Sequence, residues 1–192
     1  MVDELSDSFV RIVQATQANT TLLMWIVGLP WLTFFITKLT GNRLLCLGII
    51  PRQWFGLPGI IFSPFLHADI NHLFFNSIPL LVLSDFVLLD GFPYFLMSTI
   101  LITLLSGLLV WLFGKPGVHI GASGLITGYW ALVVAHGYQE ATLTSIVIGL
   151  LSVYYFAGIF FGIFPQKKGV SWEGHLFGLV AGLVASYFLQ PQ

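Results

Sequence analysis

Charge is what this sequence has least of. Only 8% of its 192 residues are Asp, Glu, Lys or Arg, and the formal net charge is −1. No basic surface of the kind that holds a nucleic-acid backbone is on offer, and no charged block reads as a tail. Cysteine is scarce as well: Cys46 stands alone, which excludes an intrachain disulfide. The stretch from Met1 to Thr20 lacks the basic n-region and cleavage site of a signal peptide, so the first apolar segment is expected to stay as an anchor. There is no His-Glu-x-x-His, and His67 and His72 have no third ligand at helical spacing, which argues against a metal.

What remains is apolar. The chain is 57% hydrophobic with a mean hydropathy of +0.92, the balance of a protein that lives in a bilayer. Each crossing uses about 20 residues, so the expected fold is an all-α polytopic membrane protein with six transmembrane helices. Residues 1–20, where Asp3, Glu4, Asp7 and Arg11 alternate with Phe9, Val10, Ile12 and Val13, read as an amphipathic lead-in; residues 21–192 read as one membrane domain. Spans are expected over about 22–36, 72–89, 92–113, 122–135, 142–164 and 172–189, with Pro30 and Pro79 inside the first and second. The connection over 39–71 carries Trp54, Phe55, Phe62 and Phe65 yet is broken by Pro51, Pro58, Gly59 and Pro64. It is too apolar for a solvated loop and too punctuated for a span, so a partly embedded segment is expected.

Six crossings carry a consequence of parity. Spans two, four and six run in the same direction, and their N-terminal ends lie at one face of the membrane. Those ends hold the uncommon polar residues: His72 and Asn76, then Ser123, then His175. Taken singly, each has an ordinary explanation. A serine at a helix start is a usual N-cap, Gly-x-x-x-Gly is a packing device, and His72 and Asn76 suit interfacial caps together with His67. An ionisable side chain inside a span is costly, however, and His175 is a functional candidate on that ground.

Gly178 and Gly182 follow His175 on its own face, and Gly124 and Gly128 form a matching strip beside Ser123. Two such strips in contact would let the imidazole reach the hydroxyl. His175 would then take the Ser123 proton as the oxygen attacks a carbonyl. Glu173, two residues away, faces another side, so a dyad is expected rather than a triad. His72 and Asn76, four apart and stacked, are candidate donors to the oxyanion, with the free N–H groups at the start of the fourth span. His119 has no assigned part beyond bracing its loop. His136, Asp85 and Asp90 belong to the opposite surface and read as structural.

At these residues the chain resembles the rhomboid family of intramembrane serine proteases. The carriers are Gly121-Ala122-Ser123-Gly124 with Gly128, the pattern His175-x-x-Gly178-x-x-x-Gly182, and the run from His67 through His72 to Asn76. The resemblance implies Ser123 as nucleophile, His175 as base, and His72 and Asn76 lining the oxyanion site. It further implies hydrolysis of peptide bonds in or beside the spanning helices of other membrane proteins, without metal or nucleotide, in a bacterial cell membrane. A fold-sharing binding protein or chaperone that no longer cleaves is the alternative.

Two positions depart from the family pattern. The usual Trp-Arg pair of the first loop is replaced by Trp54-Phe55, with Arg52 the nearest arginine. The aromatic four residues after the serine, which stacks on the histidine in many members, is Thr127 here. Orientation is a further conflict. Lys38, Arg43, Arg52, Lys115, Lys167 and Lys168 share the side of the candidate site, which by the positive-inside rule turns it toward the cytoplasm, whereas the resemblance implies an outward site.

Overall fold

A computed structural model describes residues 2–164 and 172–190. Six long helices make the body: α1 (Val2–Leu39), α3 (Ile70–Leu88), α4 (Phe92–Phe113), α5 (Ser123–Gln139), α6 (Leu143–Phe161) and α7 (Trp172–Phe188). A single helical turn, α2 (Gly59–Phe62), lies in the first loop. The all-α architecture expected from hydropathy is the one observed. In lipid a chain must satisfy its own backbone polar groups, and continuous helices do so within one segment.

Among the described residues three helices, within Phe9–Leu39, Ile70–Leu88 and Phe92–Phe113, are long and apolar enough to cross a bilayer. The 17-residue α5 and α7 are shorter, about 26 Å each. The amphipathic lead-in and the first span form one uninterrupted helix of 38 residues around Pro30. Its early part is tied to the far end of α3, where Thr16 Oγ1 donates to Asp85 Oδ2 at 2.6 Å.

The core sits on α5. Leu132 on that helix, Leu83 on α3, Ile102 on α4, and Ala181 and Ala185 on α7 are all fully buried. Association inside a membrane depends on close packing rather than on expulsion of water, and the α5–α7 contact meets that demand with small residues. A Cβ on Gly178 would fall on the Gly124 carbonyl, 2.9 Å from its carbon, and one on Gly182 would come within 2.8 Å of the Gly128 carbonyl carbon. Backbone meets backbone along this line.

The first loop is compact. Within it α2 packs against α4, the turns Arg43–Leu47 and Ser63–Phe65 pack against α1, and Trp54, Phe55 and Ile61 point outward. Arg52, next to the position where the Trp-Arg pair was missed, supplies the brace by another route. Its guanidinium donates to the carbonyls of Gly114 (2.9 Å) and Leu112 (3.2 Å) at the end of α4, and Trp111 Nε1 donates to the Gln53 carbonyl at 2.9 Å. The charge of Arg52 suits that helix C-terminus. An antiparallel bridge between Ile49 and His119 then joins this loop to the one that leads into α5.

Candidate active site

Ser123 is the first residue of α5 and is half-buried. It is not the N-cap: Ala122 holds that position, without a side-chain cap bond. The hydroxyl is therefore not consumed by the helix it begins. The turn before it depends on Gly121, whose φ of 112° is disfavoured for any residue with a Cβ. The Gly121 N–H is held by the Ser63 carbonyl at 2.9 Å, so the first loop fixes the approach to the serine.

His72 and Asn76 close on that turn. A Cβ at Gly121 would lie 2.7 Å from Cε1 and Nε2 of His72 and 3.5 Å from Asn76 Nδ2, so both polar ends come together two residues before Ser123. Neither side chain caps α3. Asp69 does that, accepting from the His72 N–H at 2.9 Å, which leaves the imidazole available. Asn76 Nδ2 donates to His67 Nε2 at 3.0 Å, and the rings of His67 and His72 meet edge to face at 4.9 Å. His67 has no exposed surface, and burial, with the neighbouring His72 adding to it, lowers its pKa to about 4. It stays neutral and can accept from Asn76, whose second N–H is left for another acceptor.

The two glycine strips set the level of His175. Gly124 lies between Gly174 and Gly178, and Gly128 contacts Gly178 and Gly182. The offset between the parallel helices thus runs from 50 (174 − 124) to 54 (178 − 124) and centres on 52, the separation of Ser123 and His175 (175 − 123). Among the described residues no hydrogen bond joins the two side chains. His72 lies within electrostatic range of the His175 ring. The His175 Nδ1 is buried without a hydrogen-bond partner and faces the last turn of α6, where Gly162 lies against it.

Below Ser123 a cavity of about 50 Å³ is walled by Ser63, Thr103, Ser106, His119 and Gly121, wide enough for water. Glu173 does not orient the imidazole. It is buried and faces Lys115 Nζ at 3.8 Å. Thr127 does not stack on the ring either: fully buried, its hydroxyl donates to the Ser123 carbonyl at 2.7 Å.

The family model of the rhomboid domain matches residues 51–192, which include Ser123, His175, His72 and Asn76. The chain belongs to the rhomboid family. An uncharacterized protein of Mycobacterium tuberculosis is 44% identical over 178 residues, covering 88% of this chain and 74% of that protein. One from Mycobacterium leprae is 36% identical over 191 residues, 91% and 76% of the two chains. A protein named as a rhomboid protein, from Acanthamoeba polyphaga mimivirus, is 32% identical over 127 residues, 62% and 68% of each.

Within this rhomboid domain several roles are not legible from motif spacing. Gly162, His67 and Asp69 contact His175, Asn76 and His72 from a turn, a loop and a cap. The Asp69-x-x-His72 spacing, that of an N-cap, is a local signal from which Asp69 could have been found. His136 keeps the structural part expected of it. It is buried at the other end of α5, with Nε2 2.6 Å from the Tyr94 hydroxyl and Nδ1 3.5 Å from Asp90. Lys167 and Lys168 lie outside the described residues.

Proposed function

We propose that this rhomboid is an intramembrane serine endopeptidase, acting on peptide bonds in or next to the spanning helices of other membrane proteins. The observation that carries the reading is the 52-residue offset of α5 and α7, which brings Ser123 and His175 to one level while His72 and Asn76 close on Gly121. Ser123 Oγ attacks the carbonyl carbon and His175 accepts its proton. The negative charge then on the carbonyl oxygen is met by donors from His72, Asn76 and the free N–H groups of the first turn of α5. The imidazolium returns its proton to the leaving amine as the C–N bond breaks, which leaves an acyl ester on Ser123. Water, deprotonated by the same imidazole, cleaves that ester and regenerates the hydroxyl. The partners are single-span substrates reached through the lipid of a bacterial cell membrane.

The absence of a Ser123–His175 hydrogen bond favours a second reading, a rhomboid-like binding protein or chaperone that does not cleave. Hydrogen bonds of this kind often tighten only once substrate is bound. Labelling by a fluorophosphonate separates the two. Label on the wild type that is lost in Ser123→Ala, with loss of cleavage of a single-span substrate in detergent, supports the protease. A Ser123→Ala variant that cleaves at the wild-type rate ends that reading.

A further inference from the structure

An oxyanion donor is effective only if it is aimed before the charge appears. Asn76 reaches Gly121 on a side chain that can turn about its own bonds, and its amide is steadied by the bond from Nδ2 to His67 Nε2. His67 lies between the Ser63–Phe65 turn and α3, outside any helix. Whatever fixes this acceptor must come from elsewhere in the fold.

It comes from α1. The Thr33 hydroxyl meets the Phe65 carbonyl, two residues before His67, and Lys38 Nζ donates to the Ala68 carbonyl, one residue after it, at 2.7 Å. Between these two points Leu66 and His67 are buried. Lys38 itself is exposed, but its stem is not loose. The ammonium lies 5.3 Å from the centre of the Phe34 ring and donates to Asn42 Oδ1 at 3.1 Å.

The same helix holds the donor's side. Trp31 Nε1 donates to Ser77 Oγ at 3.0 Å, and that hydroxyl donates to the Leu73 carbonyl at 2.8 Å, next to Asn76 on α3. Trp31, Thr33 and Lys38 thus grip the helix of the donor and both flanks of its acceptor. They do so within about 10 Å of a single helix axis.

We propose that the C-terminal part of α1 is a positioning element for the oxyanion site, with Trp31 and Lys38 as positioning residues that keep Asn76 and His67 in register. A slip of α1 against either partner turns the Asn76 amide away from the charge that develops beside Gly121. This inference rests on the protease reading above, and its test keeps the two apart.

The variants are Lys38→Met, which keeps the stem and deletes the ammonium, and Trp31→Phe, which keeps a ring and deletes the N–H. In the full chain in detergent each is expected to lower kcat on a single-span substrate by about 5- to 20-fold with KM within about twofold, a part of the roughly 100-fold that a lost donor costs. Lys38→Arg, which can still donate to Ala68, is expected to restore most of the rate. In spectra of protein labelled with ¹⁵N-asparagine, the Asn76 side-chain N–H groups are expected to exchange with water faster in both variants than in the wild type. In an Asn76→Ala background Lys38→Met is expected to lower kcat no further, because the donor that it positions is gone. A merely structural role predicts the same fold-loss again in that background, and that result overturns the proposal. So does an unchanged kcat, or unchanged exchange at Asn76, in the variants; Trp31→Phe decides where Lys38→Met does not fold. A wild type that cleaves nothing ends the protease reading, whereas exchange at Asn76 still decides whether α1 holds the amide.

Discussion

Lys115 Nζ lies 3.8 Å from the Glu173 carboxylate, joining the loop before the serine helix to the first turn of the histidine helix. The pair is lopsided: the lysine side chain is 69% exposed and the glutamate 6%. The same ammonium sits 5.4 Å from the centre of the Trp172 ring. Removing the cation strands a buried carboxylate, whereas neutralising the carboxylate strands only a solvated amine. Lys115→Met is therefore expected to destabilise by about 1–3 kcal/mol and Glu173→Gln by less. Thermal unfolding in detergent, closed into a double-mutant cycle, measures the difference.

His72 and Asn76 should behave as oxyanion donors. His72→Ala and Asn76→Ala are each expected to lower kcat by about 100-fold or more with little change in KM, the usual cost of one such donor. His67→Ala should reproduce part of the Asn76 effect, because it removes the acceptor that holds that amide. Steady-state cleavage kinetics of the three variants check this order.

The buried His67 makes stability depend on pH. Its pKa falls from 6.5 to about 4, so the unfolded chain binds the proton more readily than the folded one. The contribution is complete above pH 6.5 and is lost as pH falls toward 4, up to about 3 kcal/mol. Protonated Nε2 can no longer accept from Asn76, and because the folded His67 takes its proton only near pH 4, activity should fall only as pH approaches 4. Unfolding curves at pH 7 and pH 5 test it; His67→Asn should flatten the difference.

The glycine strips predict a graded response. Gly178→Ala and Gly182→Ala push a methyl against the α5 backbone and are expected to cost about 1–3 kcal/mol. Catalysis should suffer more than stability, since the same shift separates Ser123 from His175. Melting temperature and kcat measured on the same preparations compare the two losses.

Side access through α6 is expected to limit the rate. Tyr154 and Phe161 are exposed on that helix and Phe156 is half-buried; the Phe160 side chain lies outside the described residues. Trimming Tyr154 and Phe161 to alanine should raise the cleavage rate of a spanning substrate. Unchanged rates would move the access route elsewhere.

Hydropathy alone determined that this chain is a bundle of membrane helices, because lipid leaves the backbone no other way to satisfy itself. Parity and the position of scarce polar residues went further, gathering His72, Asn76, Ser123 and His175 at one end. What only the tertiary structure decided is how far each helix slides and turns against its neighbours. The offset of α5 on α7, the seat of Gly162 behind His175, and the support of Asn76 by His67 all join residues remote in sequence. Each depends on interhelical contacts, and no periodicity within one helix encodes where another will rest on it.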